Sequence, residues 1–137
     1  MNIKLFRKAG EPTLSIPLYL CQQTREQLPE LWERLPTVEA MREDLRQDIE
    51  ANDRFEYLSI GPAGEVQAMM IIIANYNPHY GSYLAPSYAF STQPGSLTGG
   101  YRWMKQLAKA LKYDSYLITR QLEHGEIKTK PIRIKHD

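Results

Sequence analysis

A chain of 137 residues has the length of one domain, large enough to bury a core without help from metals or disulfides. Seventeen Lys and Arg against sixteen Asp and Glu leave a formal charge of +1, so no global field points to nucleic acid or an anionic membrane. Cys21 is the only cysteine, which excludes an internal disulfide; His79, His124 and His136 are too scattered to complete a zinc site with it, and no metal is expected.

The start, Met1 to Phe6, has no long apolar run, and no later stretch approaches the about 20 residues of a membrane span. The expectation is a soluble, cytoplasmic protein, in a host cytoplasm or a virion if the gene is viral. Ile3 to Arg7 alternates as a short first strand that Gly10 and Pro12 end. Ile16 to Cys21 is apolar but holds Pro17, which predicts an edge piece or an irregular core-facing segment. Leu28, Leu31, Trp32 and Leu35 fall at helical spacing with Pro29 in a first turn, and Pro36 closes that helix. Thr37 is an N-cap candidate for the cleanest amphipathic helix of this half, with Val38, Met41, Leu45 and Ile49 on one stripe.

Phe55 to Ile60 reads as a strand, and Gly61 to Gly64 as the turn into a second strand from Val66 to Tyr76. The run Ala68 to Ala74 is too apolar for a one-sided strand and predicts a central one covered on both faces. Ser82 to Ala85 predicts a short following strand that Pro86 stops, with a long loop from Pro86 to Ser96 after it. A helix then begins near Thr98, capped by Ser96 or Thr98, with Tyr101, Met104, Leu107, Ala108 and Leu111 on one face and Arg102, Lys105, Lys109 and Lys112 on the other. Tyr116 to Thr119 and Ile127 to Ile134 supply two closing strands.

The stretch Pro94 to Met104 places a glycine-rich turn directly before that helix. Backbone N–H groups at such a helix start can hold a phosphate or pyrophosphate, whereas a plain turn and cap would serve only the fold. The element order, with Leu84-Ala85-Pro86 at a strand end and Gly99-Gly100 at the helix start, resembles the GNAT superfamily of acetyl-CoA-dependent N-acetyltransferases. The resemblance is topological over nearly the whole chain and reaches motif level from about Tyr83 to Ile118. It implies one GNAT-like α/β (α+β) domain over residues 1–137, with a mixed, mostly antiparallel central sheet flanked by helices. The family's usual last helix is missing or shortened, since residues 121–125 leave almost no room for it.

The resemblance further implies acetyl-CoA as cofactor, bound at Leu84, Ala85, Gly95, Ser96, Thr98, Gly99 and Gly100, and an amine of a protein or small molecule as acceptor. The turn departs from the family's pattern, because counting from Gln93 puts Ser96 and Thr98 where glycines belong. Acetyl transfer needs an amine freed of its proton and an oxyanion held by an amide near the strand end, which Pro86 cannot supply. Candidate acids and bases are Tyr83, Tyr88 and Glu123, with Tyr76, His79, Tyr80 and His124 nearby in sequence. The compact form is similar to GNAT-like proteins of bacteriophages, some of them virion components, so a non-catalytic protein of this fold that docks a protein partner stands as the alternative. A third reading, nucleic-acid binding through the helix cations and Lys128, Lys130, Arg133, Lys135 and His136, is the least favoured because Asp and Glu balance the total.

Overall fold

The computed structural model describes residues 1–14, 16–121 and 127–136. In chain order they form β1 (Asn2–Arg7), α1 (Leu18–Gln27), a single 3-10 turn (Pro29–Trp32), α2 (Val38–Glu50), β2 (Arg54–Ile60), β3 (Val66–Asn77), β4 (Gly81–Ser91), α3 (Thr98–Ala110), β5 (Ser115–Gln121) and β6 (Ile127–Arg133). The six strands make one sheet in the order β1-β2-β3-β4-β5-β6. Every neighbouring pair is antiparallel except β4 with β5, which is parallel because α3 crosses over between them. This is the mixed, mostly antiparallel sheet with flanking helices that the sequence predicts. No described helix is long and apolar enough to cross a membrane.

The apolar run of β3 is explained by helices on both sides of it. Met69 and Ile71 pack with α1 and α2 on one face, in a core that holds Leu20, Cys21, Met41, Leu45 and Ile49. Met70 and Ile72 pack on the other face with Met104 and Ala108 of α3. Alternate residues of one strand thus enter two cores, which is why the run never alternates with polar residues. In α2 the predicted stripe is buried, and Thr37 caps the helix by accepting the Ala40 N–H at 3.1 Å.

The first helical region differs from expectation. Pro17 stands just outside a helix, extended at φ −65° and ψ 142°, and α1 runs on from Leu18 where an edge piece or an irregular core-facing segment is predicted. Leu20, Cys21 and Thr24 are its buried side, at helical spacing. The helix expected over Leu28 to Leu35 is only the 3-10 turn, because Leu28 before Pro29 is held out of the helical region at φ −137°.

β4 is longer than predicted. It continues through Pro86 to Ser91, so the loop before α3 is only residues 92–97. Tyr88 pairs with Ile71 but Pro86 with Ile72, which leaves Ser87 as the extra residue of a β-bulge. A proline at a bulge removes no ladder hydrogen bond, and so does not stop the strand. The bulge also exchanges faces: Leu84 belongs to the α3 core, whereas Tyr88 and Phe90, an even number of residues on, belong to the α1–α2 core.

Neither Ser96 nor Thr98 caps α3; the N-cap residue is Leu97, without a side-chain cap bond. Leu111, expected on the buried face, lies beyond the helix end and is 51% exposed. Five residues separate β5 from β6, and these two strands pair antiparallel from Gln121 with Ile127.

Candidate functional site

A cleft opens where β4 and β5 part. The two strands pair only at Tyr83 with Ser115 and Leu84 with Tyr116. Asp114 pins this closed end: it accepts the Ser82 N–H at 2.9 Å and returns its own N–H to the Ser82 carbonyl at 2.9 Å. Beyond it the bulge at Ser87 bends β4 away, and an opening of about 470 Å³ remains. That is a volume suited to a drug-sized ligand. Residues 86–91 of β4 form one wall, and Leu97 and Tyr101 of the α3 start face Thr119 of β5. Thr24 and Gln27 of α1, Leu28 just beyond its end, and Leu31 and Trp32 of the 3-10 turn close the other side. Its lining draws on both cores, so the cleft has an α1 mouth, lined from α1 and the 3-10 turn, and an α3 mouth, lined by Leu97 and Tyr101.

Strand pairing satisfies both edges of an interior strand, but β5 is withdrawn from β4 after Leu84. The β4 edge along the cleft therefore offers backbone N–H and C=O groups to a ligand. At the α3 mouth Tyr101 is half-buried, its hydroxyl 3.0 Å from Thr119 Oγ1. At the α1 mouth Tyr88 donates to Asp48 Oδ2 of α2 at 2.5 Å. Burial, followed by this bond to a carboxylate, holds the Tyr88 phenol well above its ordinary pKa, so it stays protonated at neutral pH. Trp32 meets Phe90 edge-on at 6.0 Å, and Tyr88 lies 6.0 Å from Phe90, so three aromatic rings wall this mouth.

The candidates chosen from sequence divide between cleft and scaffold. Tyr88 lines the cleft. Tyr83 sits at the paired end, half-buried and edge-on to Tyr80 at 5.8 Å. Glu123 and His124 lie outside the described residues. Of the proposed cofactor residues, Leu84 is fully buried beneath α3 and Ala85 pairs with Ile73. Gly95 takes a left-handed φ of +77° in open space, and the Ser96 hydroxyl donates to the Gln93 carbonyl at 2.7 Å. Thr98 is exposed, and its N–H goes to the Gly95 carbonyl at 3.2 Å.

Gly99 and Gly100 have a packing role. A Cβ on Gly99 would lie 2.4 Å from the Tyr57 hydroxyl, and one on Gly100 3.0 Å from Tyr57 Cδ1. Lacking side chains there, α3 can approach the sheet closely. Turn bonds consume the N–H groups of Ser96, Thr98, Gly100 and Tyr101; among the described residues those of Leu97 and Gly99 have no partner. Tyr76 and His79 are exposed beyond the paired end, away from the cleft lining.

Trp32, Phe90, Tyr101 and Thr119 were not singled out from the sequence. Tyr101 carried no signal apart from apolar helix spacing, Phe90 falls in the loop expected from Pro86 to Ser96, and the position of Trp32 depends on the unforeseen 3-10 turn. A buried ion pair was also missed: Arg54 and Glu56, 1% and 2% exposed, meet at 3.0 Å. Glu56 also accepts from Thr13 Oγ1 at 2.6 Å, and Arg54 donates to the Glu11 carbonyl at 2.8 Å, so the pair fastens the segment after β1 to β2. Cys21 is buried, and burial pushes its thiol up to about 11, which fits packing and not nucleophilic chemistry.

Charge is divided across the sheet. Residues 18–50 carry eight acidic and four basic side chains, net −4, while residues 98–137 carry nine basic and four acidic ones, net +5. No described lining side chain is itself charged. Fold and cleft thus define a class: an α+β protein whose six-stranded sheet is parted between β4 and β5. No protein-family model matches the chain, and no curated protein matches it.

Proposed function

We propose that this is a GNAT-like protein that binds acetyl-CoA in the β4–β5 cleft and passes the acetyl group to an amine. The observation that carries the reading is the parting of two parallel strands after only two residue pairs, beside a bulged β4. An extended amide-bearing chain such as the pantetheine arm matches the free β4 edge as a strand would. The fit is good for that arm: the cleft holds about 470 Å³, its walls are mostly apolar, and Leu97, whose N–H has no partner among the described residues, lines the α3 mouth toward which phosphates would lie. The net +5 of the C-terminal segment favours an anion on that side.

Acetyl-CoA would supply the activated acyl carbon. The chain's part is to hold it against β4, to present the Ser87 or Tyr88 amide to a developing oxyanion, and to keep water from the apolar walls. Tyr101, the phenol at the α3 mouth, is the group available to protonate a departing thiolate.

One observation favours a second reading, a non-catalytic protein of the same fold that acts as a virion component or docks a host protein. Among the described residues the cleft lining contains no Asp, Glu, His, Lys or Cys, and both its phenols are engaged, so no general base faces the cleft. Melting curves with and without 1 mM acetyl-CoA, followed by thiol-release assays over a panel of amines, separate the two. A ligand at 100 times its Kd stabilises by about 2.7 kcal/mol. An upward shift with thiol release supports transfer; a shift without release over the panel supports binding alone. No shift at millimolar cofactor sinks the acetyl-CoA reading.

A further inference from the structure

We propose that the α1-side mouth of the cleft is a recognition site for a primary alkylammonium, held by the rings of Trp32, Tyr88 and Phe90 and by the carboxylate of Asp48. The inference rests on the acyl-transfer reading only for its meaning, as the acceptor subsite; the binding it describes stands on its own geometry. The three rings form a contiguous wall, with Trp32 to Phe90 and Tyr88 to Phe90 both 6.0 Å between centroids and interplanar angles of 79° and 58°. All three line the cleft. Rings set at steep angles present both faces and edges to the space between them, and a cation is drawn to the negative faces.

Asp48 gives this wall its sign. Asp48 does not itself line the cleft, but its Oδ2 accepts from the Tyr88 hydroxyl at 2.5 Å, which holds the carboxylate beside that ring, and Asp48 is exposed. Among the described residues its second oxygen has no side-chain or backbone partner, so one acceptor remains for an ammonium N–H. Asp44 stands one turn earlier on α2 and is itself bonded to Arg34 at 3.1 Å, so the unneutralised charge at this rim is that of Asp48. Leu28 and Leu31 extend the lining outward, and Leu31 is 45% exposed, an apolar track for the methylenes of an alkylamine. Trp32 Nε1 is buried with no hydrogen-bond partner among the described residues. An anionic ligand would meet Asp48 and, among the described residues, no lining cation.

A free alkyl diamine and a lysine side chain on a basic peptide share this chemistry. Calorimetry on the 137-residue chain uses 1,5-diaminopentane, a lysine-centred basic peptide, and the N-acetylated form of each. Binding of the diamine alone assigns a free amine as the source, and binding of the peptide assigns a protein lysine. In either case the acetylated form, with its charge gone, should bind roughly tenfold more weakly. Asp48→Asn should weaken the cation roughly fivefold. Trp32→Leu should weaken it as much or more; where that variant melts early, Tyr88→Leu replaces it, removing a ring of the same wall, and should weaken binding likewise. The proposal is overturned if neither amine binds, if the acetylated forms bind equally well, or if Asp48→Asn and the aromatic variant leave affinity unchanged. Parallel melting curves with acetyl-CoA keep the two readings apart. A cofactor response without amine binding overturns the ammonium site alone, and amine binding without a cofactor response overturns the acetyl-CoA reading alone.

Discussion

Replacing Gly99 by alanine tests whether the glycines at the α3 start exist for packing. The new Cβ would fall 2.4 Å from the Tyr57 hydroxyl, well inside van der Waals contact. Tyr57 has little freedom to retreat: it is 2% exposed and its ring leans on Trp103 at 6.5 Å. Overpacking of this kind costs about 1 to 3 kcal/mol, and the helix preference of Ala over Gly offsets at most about 1 kcal/mol. The net expectation is a loss of about 1 to 2 kcal/mol. Unfolding entropy of roughly 2.1 cal/mol/K per residue makes 1 kcal/mol worth about 3 to 4 °C in a chain of this size, so Tm should fall by about 4 to 7 °C. The assay is a double-mutant cycle with Tyr57→Phe, read by thermal and urea unfolding. Without the hydroxyl most of the clash disappears, and the Gly99→Ala penalty should shrink by about 1 kcal/mol or more. If Gly99→Ala is neutral in the original chain, or costs the same in both backgrounds, the packing account is wrong and a ligand-binding account of that glycine regains its footing.

Glu56→Gln leaves Arg54 buried without its counter-charge and should cost about 3 to 5 kcal/mol in urea unfolding, the usual consequence of breaking a buried pair; a loss under about 1 kcal/mol would show that the cluster holds nothing together. Cys21 should resist thiol reagents at pH 8 in the folded protein and react at once in denaturant, since burial pushes its pKa up to about 11. The sign of the linked stability follows: between the ordinary thiol value and about pH 11 the unfolded chain has lost a proton that the folded one keeps, so stability falls as pH rises through that window. Cys21→Ala should flatten this decline, and an unchanged slope would remove Cys21 as its cause.

Local chemistry made some parts of this fold legible and hid others. The α2 stripe and its Thr37 cap follow from spacing within one turn of helix, and the apolar run of β3 announces a strand with two covered faces. Pro17 and Pro86 misled for a common reason. A proline excludes certain hydrogen bonds but does not say which of its neighbours' bonds the fold had need of, and both residues sit where no N–H is required, one before a helix and one at a bulge. The cleft was least legible. Phe90 falls in the loop expected from Pro86 to Ser96 and Trp32 on an expected helix stripe; their meeting at 6.0 Å depends on a long-range pairing register that a single sequence does not display.

The bulge ties the opening of the cleft to the packing of the core. Leu84, Tyr88 and Phe90 share one parity, so an unbroken β4 would send all three to the same side of the sheet. Leu84 is needed under α3, where it is fully buried, while Phe90 is 8% exposed among the residues of the α1–α2 core. One inserted residue satisfies both demands, and Ser87 is that residue. The same insertion bends β4 out of register with β5 just after their second pair, so the edge groups that would have continued the parallel ladder face the cleft instead. An unbulged β4 that kept all its residues would withdraw Tyr88 and Phe90, two of the three rings at the α1 mouth. Deletion of Ser87 instead separates edge from wall: Pro86 and Tyr88 stay opposite Ile72 and Ile71, so Tyr88 and Phe90 keep their side of the sheet while the strand loses its bend, and the β4 edge should close toward β5 with the aromatic wall still in place.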